Sequence, residues 1–456
     1  MSLDLFFPPV LTPSYLLALI PVLLQTLALT AGSMFVAFSV SLPLGVAAGL
    51  ELPGTRVLLG GLAAVRAIPD LTMAILCVIL FGVGPGAGLL ALAIYYTAVV
   101  AKIFADVLRT APRGPQEALR AIGASRLQTA LYALLPLKRA DLLTYGSYEL
   151  ESALRASIIV GAVGGGGLGS ELVGSLAALD FRRVTTLIIL LVVTVAILDR
   201  GTAWLRHHPR WLVALVPVGI CAFVLYGPRL IAFRHSMQVF ATMLPPELTW
   251  AEWSALGRHL CETLWMAVAG TASAILLAAV AGILTARNLT PAWIGWPTRR
   301  LMEVLRSVPE VVWGLLLITF AGVGPVAGAV ALGVHSTGCL AKLFAESLEN
   351  APLEPQLAIA ATGASPLAVA AYSTTPLALG PIAVHSLFRL EWNLRMATVL
   401  GLIGAGGIGQ ALYEAQQLFF YRQMMAYILI TWVLVAVFDR VSEATRRHFK
   451  LTVVPL

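Results

Sequence analysis

Residues 150–169 have the sequence LESALRASIIVGAVGGGGLG, and 240 positions later residues 390–409 have LEWNLRMATVLGLIGAGGIG. Other segments return at the same offset, such as AKIFADVL at 101–108 and AKLFAESL at 341–348. A gap-free correspondence of this length indicates a tandem duplication of one domain. The fold of the chain is therefore the fold of one repeat, used twice.

The composition places both repeats in a membrane. Of the 456 residues 59% are hydrophobic and 12% are charged, and the mean hydropathy is +0.88. A soluble domain carries about 25% charged residues. The apolar runs are continuous and do not alternate with polar residues, so the spans are expected to be α-helices and not strands of a barrel.

Each repeat contains five apolar segments long enough for a span, and one extra segment lies between the repeats. An odd number of spans would invert a direct repeat, so the extra helix is expected to restore the orientation, giving about 11 spans. The expected spans are 22–50, 68–83, 87–108, 141–163 and 184–204 in the first repeat, 211–227 between the repeats, and 260–286, 308–322, 326–347, 380–402 and 424–445 in the second.

The expected organisation is a first repeat over 1–206, a connecting helix with an interfacial linker over 207–259, and a second repeat over 260–456. Most of the 30 Lys and Arg then lie on one side of the membrane. By the positive-inside rule that side is cytoplasmic, which puts the N-terminus outside and the C-terminus in the cytoplasm. The positive net charge of +7 thus reflects topology, and we expect no nucleic-acid partner.

The glycine-rich stretch at 161–172 contains the literal spacing G-x-G-x-x-G of dinucleotide-binding turns. That motif has meaning only between a strand and a helix, whereas this stretch follows a membrane span. Glycine releases the backbone from helical geometry, so a bend or gate is expected at both copies, the alternative being a flexible loop tip. The candidates are Gly164, Gly166 and Gly167 with Gly404, Gly406 and Gly407.

The longest cytoplasmic loop, residues 110–140, predicts a helix-turn-helix. Pro115 is expected to open a helix, Gly123-Ala124 to bend it and Leu135-Pro136 to close the second stretch. Glu117 would then face outward, as in a segment that docks into another protein. The pattern E-A-x-x-x-x-G ending in L-P resembles the EAA loop of ABC importer permeases, which forms a coupling helix in a groove of the ATPase subunit.

The glycine motifs and the turns VRAIPD (65–70) and LRSVPE (305–310) make the chain similar to the phosphonate-uptake permeases, with the methionine-uptake permeases as the nearest alternative. The resemblance covers both repeats and implies an all-α integral membrane protein: a duplicated type I ABC importer transmembrane domain, fused where relatives usually form a homodimer. The coupling residues it implies are Pro115, Gln116, Glu117, Ala118, Gly123, Ala124 and Ser125 with Pro355, Gln356, Ala358, Gly363, Ala364 and Ser365.

The resemblance also implies the partners. Two copies of an ABC ATPase would bind on the cytoplasmic side and hold ATP and Mg, an extracytoplasmic binding protein would deliver the substrate, and the location would be the bacterial inner membrane. The expected substrate is phosphonate, phosphite or phosphate. The chain has no G-x-x-x-x-G-K-[ST] sequence, so we expect no ATPase activity of its own. An ion-coupled secondary transporter is the alternative from another class.

The second repeat departs from the coupling pattern at one position. Leu357 stands where the first repeat has Glu117. The second coupling helix would therefore lack this acidic contact, and we expect the two ATPase sites to be coupled with unequal strength.

Charged residues inside the expected spans are the remaining candidates. Intramembrane charges are costly and mark a cavity or pathway by default. Glu151 and Arg155 lie four residues apart in the fourth span, and Glu391 and Arg395 repeat this spacing, so each pair is expected to form an ion pair on one helix face. They would either lock helices together or offer arginines to an anionic substrate. Arg389 replaces Glu149 of the first repeat.

Two short spans begin with proline followed by an acidic residue, Asp70 or Glu310. These carboxylates are expected to cap their helices. The isolated cysteines and histidines show no ligand spacing, and no nucleophile stands beside a base. The sequence therefore predicts neither a metal site nor a catalytic residue.

Overall fold

The computed structural model describes residues 8–208, 215–227 and 233–448. All regular secondary structure within these ranges is helical. The chain forms two compact units, residues 1–242 and 243–456. The predicted all-α duplicated architecture is therefore confirmed for the described chain.

The first unit contains eleven described α-helices, which range in length from 4 to 37 residues. Its helices are α1 (Pro13–Gly49), α2 (Thr55–Arg66), α3 (Asp70–Phe81), α4 (Pro85–Arg109), α5 (Arg113–Ala121), α6 (Arg126–Thr129), α7 (Leu135–Val160), α8 (Leu168–Ala177), α9 (Phe181–His207), α10 (Leu215–Tyr226) and α11 (Phe233–Thr242). One-turn π-helices, Ala130–Leu134 and Gly161–Gly165, flank α7 on either side.

The second unit repeats α1 to α9 in the same order. Its helices are α12 (Trp250–Thr285), α13 (Ala292–Ser307), α14 (Glu310–Ala321), α15 (Pro325–Glu349), α16 (Leu353–Ala360), α17 (Pro366–Val369), α18 (Thr375–Leu400), α19 (Gly407–Gln417) and α20 (Tyr421–His448). The π-turns recur at Ala370–Thr374 and Gly401–Ala405.

The first helix of each unit starts earlier than predicted. The expected starts at residues 22 and 260 are wrong, because α1 begins at Pro13 and α12 at Trp250. A capping box fixes the start of α12: Thr249 Oγ1 accepts from Glu252 N, and the Glu252 carboxylate accepts from Thr249 N at 2.6 Å. The capping residues thus begin α12 several helical turns before its apolar segment, which hydropathy alone does not reveal.

The second span of each unit is broken. Helices α3 and α14 have 12 residues each, which gives about 18 Å of helix against a hydrocarbon core of about 30 Å. Each follows an amphipathic helix, α2 or α13, across a bend of 88°. With each bent pair counted once, the described chain has up to 10 spans, and the short apolar α10 is an eleventh candidate, as the sequence predicts.

The core of each unit forms where the first helix crosses the fourth helical element. A Cβ on Gly45 of α1 would lie 2.7 Å from Phe104 Cβ of α4, and one on Gly282 of α12 would lie 2.8 Å from Phe344 Cβ of α15. Small residues allow this close approach, since helices in a membrane associate mainly through packing. This close crossing forms the centre of each unit, around which the other helices pack.

Candidate functional site

Both glycine-rich stretches form a sharp elbow. Helix α7 ends in a π-turn, and the helical stretch before it meets α8 at an angle of 58°. The backbone φ is positive at all six candidate positions, namely Gly164, Gly166, Gly167, Gly404, Gly406 and Gly407. This conformation is open to glycine and costly for other residues. The expected bend is confirmed, while its role as a gate stays a prediction.

Side chains from the first helix of each unit cap the helix that follows the elbow. Gln25 Oε1 accepts from Gly167 N and Thr26 Oγ1 from Leu168 N, both at 2.8 Å. These bonds satisfy two amides at the start of α8 that have no partner inside the helix. A Cβ on Gly167 would lie 2.5 Å from Thr26 Oγ1, so glycine is needed for this approach.

The second unit repeats the cap with a different residue type. Glu262 Oε2 accepts from Gly407 N at 2.8 Å, and Thr263 Oγ1 accepts from Ile408 N at 3.0 Å. In each unit the elbow is also hydrogen-bonded to the turn before the fourth helix. Gly84 N donates to Gly164 O at 2.9 Å, and Gly324 N donates to Gly404 O at 3.0 Å. The elbow therefore joins three separate segments of each unit.

The loop at residues 110–140 folds as the predicted helix-turn-helix, with two corrections. Helix α5 begins at Arg113 and not at Pro115, which lies within its first turn. The prediction that Leu135-Pro136 closes the second stretch is wrong, because the chain runs from α6 through the π-turn directly into α7. Pro136 lacks an N–H and its ring would clash with the preceding turn, and the wider π-turn accommodates it.

The turn between α5 and α6 has the same geometry in both units. Gly123 and Gly363 have φ of +90° and +81°, and Ser125 and Ser365 each accept from the backbone amide three residues later. The neighbouring coupling candidates Ala124 and Ala364 lie between these glycines and serines. The substitution of the coupling glutamate has thus left the scaffold unchanged.

The surface of the two loops is exposed and partly apolar. In the first unit Glu117 is exposed while Gln116 is buried and donates to Pro112 O at 3.3 Å. Tyr132 is 73% exposed, and its equivalent in the second unit, Tyr372, is 77% exposed. The remaining candidates of this surface, Pro115, Ala118, Pro355 and Ala358, are exposed as well, and Gln356 is half-buried. Exposed apolar groups on a loop indicate an interaction surface.

A carboxylate that the sequence comparison missed lies on α16. Glu354 is exposed and stands three residues before Leu357, which places both on neighbouring positions of one helix face. The second loop therefore does present an acidic group, shifted by one turn from the position of Glu117.

The intramembrane ion pairs differ between the units. Arg155 Nη1 donates to Glu151 Oε1 at 2.7 Å, which confirms the expected pair within α7. The expected pair of Glu391 with Arg395 is wrong. Arg395 Nη2 contacts both carboxylate oxygens of Asp439 at 2.8 and 2.6 Å.

Glu391 binds a cation of α20 instead. Its Oε1 accepts from Arg446 Nη1 at 2.5 Å, and the same guanidinium lies 4.2 Å above the Phe388 ring. Two salt bridges thus connect α18 to α20, so the four-residue spacing does not decide the pairing here. Both bridges are nearly closed to solvent, since each of the four side chains is less than a quarter exposed.

Glu310 is the centre of a buried polar cluster and not a simple helix cap. Its Oε1 lies 3.0 Å from Arg389 Nη2, 2.9 Å from Trp392 Nε1 and 3.1 Å from His335 Nε2. His335 Nδ1 in turn lies 2.8 Å from Val308 O, the carbonyl just before α14. These contacts fix the start of the short helix α14 against α15 and α18. Asp70 is the first residue of α3, and its Oδ1 accepts from the adjacent Leu71 N at 2.8 Å.

A chain of hydrogen bonds continues from the cluster into the core. Arg389 Nε donates to Ser336 Oγ at 2.7 Å, and Ser336 Oγ donates to Asn393 Oδ1 at 2.9 Å. Asn393 Nδ2 then donates to Thr271 Oγ1 of α12 at 2.8 Å. Every member has a partner, as buried polar groups require.

The first unit has different residues at this crossing. The positions equivalent to Ser336, Asn393 and Thr271 are Tyr96, Ala153 and Met34, which belong to one buried hydrophobic cluster. Tyr96 Oη also lies 3.2 Å from Ser152 Oγ, to which it donates. The two units therefore share a backbone and differ in the chemistry at this crossing.

Glu149, the equivalent of Arg389, is half-buried in α7. Within the described part of the chain it forms no salt bridge. A carboxylate in this position costs solvation free energy, which is typical of a functional residue in a membrane protein. No group of three or more metal-ligating side chains is placed to hold an ion in the described residues.

The comparisons with known proteins agree with the division of the chain into two similar units. The family described as "Binding-protein-dependent transport system inner membrane component" matches residues 41–211 and 278–450, one match in each unit. The chain belongs to this family, and is thus a permease of the ABC importer class in the inner membrane.

The individual relatives agree with the predicted branch. The phosphate-import permease protein PhnE of Mycolicibacterium smegmatis is 31% identical over 402 residues, which cover 83% of this chain and 75% of the relative. The phosphite transport system permease protein PtxC of Stutzerimonas stutzeri is 35% identical over 209 residues, which cover 45% of this chain and 75% of the relative. The resemblance to the phosphonate-uptake permeases is therefore confirmed.

Proposed function

We propose that this chain supplies both permease halves of an ATP-driven importer for a phosphorus oxyanion. Each cytoplasmic loop, α5–α6 in the first unit and α16–α17 in the second, binds one ATPase subunit that holds ATP and Mg. The observation that carries this proposal is the presence of two loops of equal geometry, each exposing an apolar surface with a carboxylate. A binding protein delivers the substrate on the outer side, and the N-terminus lies outside.

The substrate class rests on the relatives, which are named for phosphate and phosphite. Phosphate, phosphite and phosphonate share a compact anionic head that arginine recognises through its planar fork. Arg155, Arg395 and Arg389 are each paired with a carboxylate in the structure, so an anion would have to compete for them.

The first experiment is to co-express the chain with its ATPase and determine the mass of the purified complex. One copy of the chain with two copies of the ATPase supports the proposal. A complex with one ATPase contradicts it, and uptake driven by an ion gradient without any ATPase would indicate a secondary transporter.

A second experiment identifies the substrate in proteoliposomes. Binding protein loaded with phosphate, phosphite or methylphosphonate should stimulate ATP hydrolysis, whereas methionine should not. Coupling strength is tested in the same assay with Glu117→Ala, Glu354→Ala and Leu357→Glu. If all three variants hydrolyse ATP at the unchanged stimulated rate, the assigned role of these carboxylates is wrong.

A further inference from the structure

The first unit contains an apolar groove of about 560 Å³ between α1, α7 and α10. Its walls come mainly from large apolar side chains of α1 and α7, and Val216 of α10 closes one side. Phe38 stacks on Phe104 with ring centroids 6.2 Å apart, which makes one wall. Gly146 lets the Phe38 ring pack close against α7, since a Cβ there would lie 3.3 Å from the ring.

One cation lines this groove. Arg139 is exposed near the start of α7 and, within the described residues, makes no salt bridge. The distance along α7 from Arg139 to Leu150, at the other end of the lining, is about 16 Å. One leaflet of a bilayer core is about 15 Å thick. The groove therefore has the length of one acyl chain, with a guanidinium at the level of the headgroup.

The second unit does not repeat this arrangement. The position of Arg139 holds Leu379, and that of Gly146 holds Ser386. Helix α10 has no counterpart in the second unit among the described residues. It packs closely on α1, since a Cβ on Gly219 would lie 2.5 Å from Phe35 Cβ. The wall that completes the groove is thus specific to the first unit.

We propose that this groove binds an anionic phospholipid, with one acyl chain between α1 and α7 and the phosphate against Arg139. The charge of the free guanidinium selects the anionic headgroup, because arginines at the membrane surface attract anionic lipids. The apolar lining selects the chain. The bound lipid fills the groove and supports α1 against α7.

The test uses the purified full chain in nanodiscs that contain phosphatidylglycerol with a photoreactive acyl chain. Cross-links should concentrate on α1 and α7 residues of the groove. Arg139→Gln should lower this labelling about fivefold, as expected for one surface arginine. Arg139→Lys should restore most of it, because the charge returns. Leu143→Trp, which fills the groove with an apolar side chain, should abolish it.

Two controls separate the site from general lipid contact. Arg200→Gln removes an exposed arginine of α9 that does not line the groove, and should leave the labelling unchanged. Photoreactive phosphatidylcholine should label the groove about fivefold less than phosphatidylglycerol. Labelling that is spread evenly over the lipid-facing helices, or that is equal in wild type, Arg139→Gln and Leu143→Trp, would overturn the proposal. So would cross-links showing another segment of the chain in the groove.

Discussion

Replacing Arg389 by methionine should destabilise the second unit by about 3 kcal/mol. Removing one partner of a buried ion pair costs about 3–5 kcal/mol, because the other charge stays buried without its counter-charge. The Glu310 and Arg389 side chains are 6% and 12% exposed, so solvent does not replace the lost partner. The lower end of the range applies, since His335 and Trp392 still donate to Glu310.

A double-mutant cycle isolates the ion pair. Glu310→Gln alone should cost a similar amount, because Arg389 is then the uncompensated charge. In the double variant neither charge of the Glu310–Arg389 pair is left, and the remaining loss is that of neutral hydrogen bonds at about 1 kcal/mol each. The double variant should therefore be more stable than the sum of the single effects predicts, by about 2 kcal/mol.

The assay is unfolding of the purified chain in mixed micelles by increasing sodium dodecyl sulfate, followed by tryptophan fluorescence. The matched control is Tyr96→Phe in the first unit, which removes one hydrogen bond at the equivalent crossing and should cost about 1 kcal/mol or less. An Arg389→Met variant within 1 kcal/mol of the wild type would refute the reasoning. Strict additivity in the cycle would refute it as well.

Three further substitutions test the elbow, the turn between α19 and α20, and Glu149 in the same unfolding assay. Gly167→Ala should cost about 2–4 kcal/mol, because the residue has a left-handed φ and a Cβ there would clash with the Thr26 hydroxyl. Gly174→Ala within α8 should instead stabilise by about 0.5–1 kcal/mol, since a Cβ there meets nothing. Equal effects of the two substitutions would contradict the elbow argument. Phe419 has φ +57°, so Phe419→Gly should be about 1 kcal/mol more stable than Phe419→Ala, and the reverse order would show that the turn is not strained. Glu149→Gln should stabilise by about 1–2 kcal/mol, since an amide is buried at lower cost than a carboxylate, and a loss of stability would reveal a partner for the charge.

The duplication made much of the fold predictable from the sequence. Segments that recur at a fixed offset have the same structure in both units, so each span and each elbow was indicated twice. Glycine runs that follow a span predict a break wherever they occur, and both π-turns with their positive φ values fulfil this expectation. The helix starts were less predictable, because capping interactions extend α12 beyond its apolar core.

The polar contacts between helices could not be predicted in this way. The spacing of Glu391 and Arg395 permits a local pair, and so does that of Glu151 and Arg155, but only the latter forms. Arg395 instead reaches Asp439, whose two oxygens lie within 2.8 Å of one nitrogen. Which pair forms depends on how α18 and α20 are rotated toward each other, and a one-dimensional pattern does not contain that rotation.

The sequence repeat does contain a signal for the residues that cap α8 and α19, which the sequence analysis did not identify. The polar pair Gln25-Thr26 interrupts a long apolar run, and Glu262-Thr263 stands at the corresponding place in the second unit. Polar residues retained in both copies of a membrane helix indicate a structural contact, because each must find a partner inside the protein. The caps of α8 and α19 are that contact.

The comparison of these caps shows which property of the elbow is constrained. Gln25 and Glu262 differ in charge, yet each directs one oxygen at the amide of the equivalent glycine at 2.8 Å. The shared requirement is an acceptor at this distance, and the charge is free to vary. The cluster around Glu310 shows the opposite case, since the positions of Arg389 and His335 hold Glu149 and Tyr95 in the first unit. In a fused chain the sequence of one half can change without the same change in the other half. The elbows, which depend on backbone geometry, are the same in both units, whereas the polar side chains between helices differ. We therefore expect any functional difference between the two halves to arise from those side chains.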